Sequence, residues 1–474
     1  MGFMIYDLIF LILFCLGIGI FLYIKRKNLK REGLLFLYRT QIGIKFIDYV
    51  SKKFKKQLYW LQYLVIFVGY SLMIGMVYLF FKLIYLFVGS PMFVKEVKIP
   101  PIMPLIPYLP QVFSLDFLPA FYFTYWIIII AIIAIPHEFA HGIFAALNKV
   151  KIKKTGFGFF PFFLPVFLAA FVELDEKNMQ KKSIFSQMSV LSAGTFANII
   201  TALLFFIILF LFFSLSFAPA GVIFDDYAYD LVEISTISSV NGISIANATY
   251  SKVSELINEE GLNKIEANGR NYVSTKEFLN QQEEIYNYTF LYYDSPAINA
   301  GLKGAITEIN GIKITSLEGF QTELSKYSPG QKINITTVFE EENQKYIIEL
   351  DENPNQKESP YLGVGFLNAE KSGLIGKIKD MISSFKSSNT YYESKFNAAL
   401  FIYNLLWWLV LISFSVALIN MLPVGIFDGG RFFYLTILAI TKSKSKAEKS
   451  FKFLTRFFLF LLVLLMLLWV RSFF

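Results

Sequence analysis

Histidine occurs twice and cysteine once in 474 residues. The lone cysteine, Cys15, excludes an intrachain disulfide and any metal cluster built on thiolates. Charge is scarce as well: Asp, Glu, Lys and Arg make up 17% of the chain, against about 25% in a soluble domain. The 55% hydrophobic content and mean hydropathy of +0.52 exclude an ordinary water-soluble globule. What is abundant instead is long apolar runs, at 4–24, 58–88, 121–147, 187–217, 397–419 and 452–471. Each reaches the length of about 20 residues that a bilayer-crossing helix needs.

Basic residues orient these spans, because short loops rich in Lys and Arg stay in the cytoplasm. Residues 25–56 hold eleven Lys and Arg, from Lys25 to Lys56, and 442–452 holds five lysines. Both loops are therefore expected inside, as is 148–186, whereas 89–120 and 218–396 are expected outside. Both termini then lie outside. The N-terminus carries Asp7 but no positive n-region, so the first span reads as a permanent anchor rather than a cleaved signal. The net charge of +8 follows from this topology facing an anionic leaflet, and no nucleic-acid partner is implied.

Residues 218–396 break the membrane pattern. They are rich in Asp, Glu, Asn, Ser and Thr, with short β-type runs such as KINITTVF between turn signals. The three N-x-[ST] sequons, at Asn247, Asn287 and Asn334, all fall here, in keeping with an external face. The stretch SPAINAGLKGAITEINGIKI (295–314), together with YLGVGF (361–366), resembles a PDZ domain of the kind attached to membrane proteases. That resemblance implies a peptide groove at Leu362, Gly363 and Val364, with a peptide C-terminus as its ligand. ISSVNGISI (237–245) echoes ITEINGIKI (306–314), so 218–290 is read as a degenerate second module.

Both histidines of the chain stand in HEFAH, residues 137–141, inside an apolar run. Helical positions i and i+4 share a face, so His137 and His141 can offer two imidazoles to one ion. Glu138, rotated by about 100°, can reach a water on that ion. This is the H-E-x-x-H arrangement of zinc hydrolases, and a glutamate at membrane depth is a functional candidate by default. The third ligand has to be a carboxylate, since neither histidine nor a thiolate pair remains. The acidic residues in or beside apolar runs are Asp7, Asp48, Asp116, Glu173 and Asp428. Asp428 stands out in NMLPVGIFDGGRF (420–432), where Pro423, Gly425, Gly429 and Gly430 oppose a continuous helix. Unwound backbone at membrane depth is tolerated where it is buried in protein or lines a wet cavity.

HEFAH together with Asn420, Pro423, Asp428 and Gly429 resembles the site-2 protease family of intramembrane zinc metalloproteases. AAFVELDEKNM (169–179) is similar to a stretch of its archaeal members. The departures are Phe427 in place of Leu and Thr195 in place of Pro in GTFAN (194–198). The resemblance implies one zinc ion per chain held by His137, His141 and Asp428, with Glu138 activating the zinc-bound water against the scissile peptide bond. Asn198, Asn420, Pro423 and Gly429 are the implied substrate-binding residues. The implied substrate is a single-span membrane protein cut within its membrane segment. A zinc transporter and an inactive PDZ-bearing scaffold are the alternative readings.

The expected fold is a polytopic α-helical membrane protein of about six transmembrane helices plus a re-entrant element at 156–172, with an inserted extracytoplasmic PDZ-like α+β region. The re-entrant element, broken by Pro161 and Pro165, is expected to pair with extended substrate by strand addition. The expected division is 1–117, 118–217, 218–290, 291–370, a linker at 371–396, and 397–474. The expected location is the plasma membrane of a prokaryote.

Overall fold

The computed structural model describes residues 2–32, 35–89, 103–113, 115, 118–159, 168–282, 287–340, 342–354, 356–366 and 385–471. Pro161, Pro165, Asp116 and most of the expected 371–396 linker lie outside them. The chain forms two compact units, 1–212 with 400–474, and 213–399.

The long helices of the first unit are α1 (Gly2–Ile24), α2 (Ile44–Lys53), α3 (Lys55–Gly89), α4 (Phe123–Leu147), α5 (Ile184–Ser216), α6 (Ala399–Asn420), α7 (Asp428–Thr441) and α8 (Lys444–Arg471), beside single turns at Leu109–Val112 and Glu176–Met179. All but α2 and α7 are long and apolar enough to cross a membrane. At 1.5 Å per residue the 35 residues of α3 extend about 52 Å, beyond a hydrocarbon core of about 30 Å. Large apolar side chains on these helices face outward, among them Phe67, Leu203 and Phe460 at 55–66% exposure. That is the inverse of a soluble protein, and it marks the lipid-facing surface.

Helix α4 is pinned at both ends by buried polar groups. Its N-cap position, Tyr122, contributes no side-chain bond. Asp7 of α1, fully buried, takes that role: its carboxylate accepts the Phe123 and Thr124 amides at 2.8 and 2.9 Å and the hydroxyls of Tyr108 and Thr124. A carboxylate at a helix N-terminus satisfies orphan amides and complements the dipole. At the other end Asn148 donates to Gln62 of α3 at 3.0 Å, and Gln62 also accepts from Ser189 of α5.

The basic segment expected as a plain loop carries secondary structure. Strands β1 (Leu29–Glu32) and β2 (Leu35–Thr40) join β3 (Ile152–Phe159) and β4 (Leu168–Leu174) in one antiparallel sheet, ordered β1-β2-β3-β4. Of the expected element at 156–172, the described residues fall on the end of β3 and on β4, which lies at the sheet edge, and 160–167 lie outside the described residues.

Among its described residues the second unit holds two six-stranded sheets and two two-stranded ones, β6 (Asp226–Tyr227) with β19 (Val364–Gly365) and β17 (Asp351–Asn353) with β18 (Gln356–Tyr361). One six-stranded sheet, ordered β7-β12-β11-β10-β8-β9, is built from β7 (Tyr229–Glu233), β8 (Ile237–Val240), β9 (Ile243–Ser244), β10 (Asn263–Ala267), β11 (Arg270–Ser274) and β12 (Tyr288–Tyr293) around Val240, Ile265 and Leu291. The other, ordered β16-β15-β13-β5-β20 with β14 on β13, uses β5 (Phe217–Val222), β13 (Ala305–Ile309), β14 (Ile312–Lys313), β15 (Lys332–Phe339), β16 (Glu342–Glu349) and β20 (Thr390–Ser394). Its core is Val222, Ile306, Ile335 and Leu362. Residues 217–222 therefore belong to the second core, and the module of 229–293 is inserted into it.

The echo between the two halves is structural. Asn241-Gly242 and Asn310-Gly311 are left-handed hairpin pairs, and each asparagine side chain accepts the backbone amide of the next strand over, Lys264 or Asn334. Positions 362–364 are engaged by the chain itself: Ala297 donates to the Leu362 carbonyl, Ala228 to that of Gly363, and Val364 pairs with Tyr227. Gly363 has φ +88°, and a Cβ there would sit 2.1 Å from Ser295 Oγ, so only glycine fits.

Candidate active site

The i, i+4 spacing on α4 brings the two Nε2 atoms of His137 and His141 to 3.1 Å. Pro136, one residue before, lacks an amide hydrogen and removes one rung of the helix ladder at the site. Asp428 opens α7 immediately after the non-helical stretch 421–427, and its Oδ2 lies 3.7 Å from His137 Nε2 and 3.4 Å from His141 Nε2. Glycine makes that position reachable, because a Cβ on Gly429 would collide with the Met421 carbonyl at 2.3–2.4 Å.

Three observations fit this trio to a zinc ion. Tetrahedral corners about 2.0–2.1 Å from zinc stand about 3.3–3.4 Å apart, close to the three separations found. The His141 ring proton is directed away from the centre. His141 Nδ1 donates to the Val190 carbonyl at 2.7 Å, which leaves Nε2 with its lone pair facing inward. Asn198 Nδ2 lies 3.0 Å from His137 Nδ1; turned end for end, the same carboxamide would accept a proton from that ring nitrogen and give its buried oxygen, unpartnered among the described residues, a donor. Finally, Gly194 of α5 leaves room for both rings, since a Cβ there would meet His141 Nε2 at 2.4 Å and His137 Nε2 at 2.6 Å.

A cavity of about 240 Å³ opens onto these atoms and is walled also by Glu138, Val172 and Arg431. Glu138 Oε2 accepts the Val172 amide of β4 at 2.9 Å, so the sheet edge orients the carboxylate and leaves Oε1 for a proton. Arg431 forms a two-pronged ion pair with Glu176 at 3.0 and 2.7 Å on the same wall. Just before Glu176, Asp175 caps a helical turn, and the Asn178 amide holds its carboxyl below the usual range.

The structure brings together His137, His141, Asp428 and Glu138. Asn198 is fully buried behind His137. Asn420 ends α6, Pro423 is buried in the unwound stretch and Gly429 is packed on Met421; none of the three is on the cavity wall. Glu173, another acidic candidate, pairs with Arg39 at 3.3 Å. Sequence reasoning missed Gly194, the Val190 carbonyl and the Val172 amide. Only the first left a trace, as the glycine of GTFAN.

Residues 125–465 match the family model of peptidase family M50. No curated protein matches the chain.

Proposed function

The chain belongs to peptidase family M50, whose members are intramembrane zinc metalloproteases, and from that premise we propose that it cuts single-span membrane proteins within their membrane segment. The observation that carries this reading is the meeting of His137, His141, Asp428 and Glu138 at one cavity, on helices otherwise built for a bilayer. His137, His141 and Asp428 would hold a zinc ion there, which would supply Lewis-acid activation of a water. The Val190 carbonyl keeps His141 in the ligating tautomer, and Asn198 fixes the orientation of the His137 ring through Nδ1. Glu138 takes the proton of the attacking water on Oε1 and returns it to the leaving nitrogen.

A helical substrate protects its peptide bonds, so it has to be drawn out before it is cut. The edge of β4 supports strand addition as the means. Val172 turns its amide away from β3 to Glu138, and by the alternation of an antiparallel strand Ala170 presents its amide on the same edge. We assign residues 213–399 to the extracytoplasmic side from the Lys and Arg distribution, and there to a filter that admits substrates already trimmed of external bulk. The engagement of Leu362 to Val364 by segments 226–228 and 297 favours a filter over capture of a peptide C-terminus, because a peptide would have to displace the chain's own backbone.

Glu138→Gln tests the mechanism. It should keep zinc at wild-type stoichiometry while cleavage of a reconstituted single-span substrate falls about 10²–10⁴-fold, the usual cost of losing a general base. Wild-type cleavage by this variant would remove Glu138 from the chemistry.

A further inference from the structure

Helix α2 lies against the catalytic helix. A Cβ on Gly142 would fall 2.7 Å from Ile47 Cδ1, so α2 abuts α4 one residue beyond His141. While Ile47 and Ser51 are buried, Phe46 and Tyr49 project outward at 55% and 54% exposure, flanked by exposed Ile42 and Phe54. A short basic helix with rings on its outer side is suited to the headgroup layer of a membrane.

Between α2, the start of α3 and the end of α4 opens a cavity of about 500 Å³, larger than the one at the histidines. Its wall carries Lys52, Lys55, Lys149 and Lys151 against a single carboxylate, Asp48. Among the described residues, none of these lysines lies within 4.0 Å of a carboxylate oxygen.

Local helix chemistry does not account for this gathering. Lys149 follows α4, where the dipole favours a cation, but it sits at φ +55° in a helix-ending turn that glycine fits better. Lys55 begins α3, where the dipole disfavours a cation. Four like charges from α2, α3 and the turn after α4 outnumber the one carboxylate on the wall of this hollow, and they repel each other unless a further anion sits among them.

We propose that this cavity binds the phosphate headgroup of an anionic membrane lipid. The outward rings of α2 select a lipid over a soluble phosphate, since they place the hollow at the level of the headgroups. The lipid thereby braces the α2–α4 contact beside His141.

The full-length protein, reconstituted in phosphatidylcholine nanodiscs containing a minor fraction of phosphatidylglycerol, is the material for the test. Retained lipid is counted by native mass spectrometry. Wild type should retain phosphatidylglycerol in preference to phosphatidylcholine, and Lys52→Gln with Lys149→Gln should weaken that retention about thirty-fold. Lys444→Gln with Lys446→Gln, a charge-matched change at the start of α8, should not weaken it. Lys52→Arg with Lys149→Arg should keep it, and Asp48→Asn, which removes the one repelling charge, should tighten it. Equal losses from the two Gln pairs would reduce the effect to diffuse attraction and overturn the site. Displacement of phosphatidylglycerol by inorganic phosphate would make it a soluble-anion site and overturn the lipid assignment. Neither outcome touches the zinc site, which zinc content and the Glu138→Gln comparison read separately.

Discussion

At the scale of single residues, the arrangement of His137, His141 and Asp428 depends on groups outside the trio. Gly194 is the most exacting of them. A methyl group there lies within 2.4–2.6 Å of both imidazoles, and overpacking of that kind costs about 1–3 kcal/mol or displaces the rings. Gly194→Ala should therefore lower zinc affinity by about 10–100-fold while helix content stays unchanged, with metal analysis and circular dichroism as the paired readings. Asn198→Leu should cost a similar factor, by removing the side chain that orients the His137 ring at Nδ1. Full zinc affinity in either variant would mean that the rings are oriented by other contacts. His137, Glu138 and His141 were legible in the sequence because helical periodicity is local and histidine is otherwise absent. Gly194 was not, because a missing Cβ matters only where another helix comes close.

At the scale of elements, the edge of β4 holds Glu138 through Val172, and the proposed strand addition of substrate would use the same edge. Proline at Ala170 removes an amide that faces away from β3, and so should spare the sheet while removing one bond to an added strand. Ala170→Pro is expected to raise the KM for a membrane substrate several-fold with zinc content unchanged. Phe171→Pro, on the alternate register, should instead destabilise the β3–β4 pair, seen as a lower melting temperature. An unaffected KM in Ala170→Pro would argue that substrate does not pair there. A strand-like element at 156–172 could be anticipated from composition, since the stretch is too broken for a spanning helix, but its division between β3 and β4 could not. Strands β1 and β2 could not, because their lysines and arginines serve topology as well, and because β2 finds its partner more than a hundred residues away, Thr40 opposite Thr155.

At the scale of the whole molecule, the filter reading predicts that deletion of 225–368 leaves zinc bound and lets the enzyme cut a substrate that has not been trimmed. The flanking strands β5 and β20 pair with each other across Phe217 and Ser394 and survive that deletion, so a short linker suffices. Loss of all cleavage with zinc retained would make the unit part of the substrate path. Sidedness is separately accessible: a cysteine at Ser325 should react with an impermeant reagent on intact cells and one at Ser445 should not, and the reverse pattern would place 213–399 in the cytoplasm. The sequence by itself determined the membrane character, the six apolar helices, the metal-binding pattern and the hairpins at Asn241 and Asn310, because hydropathy, helical spacing and left-handed Asn-Gly turns act over a few residues. Only the tertiary structure decided that Asp7 caps the catalytic helix, that Glu138 rests on Val172, that residues 217–222 complete the core around Ile306, and that four lysines from three elements share one hollow. Each of those is a contact between segments far apart in the chain, and the free energy of such contacts depends on distances that no local pattern encodes.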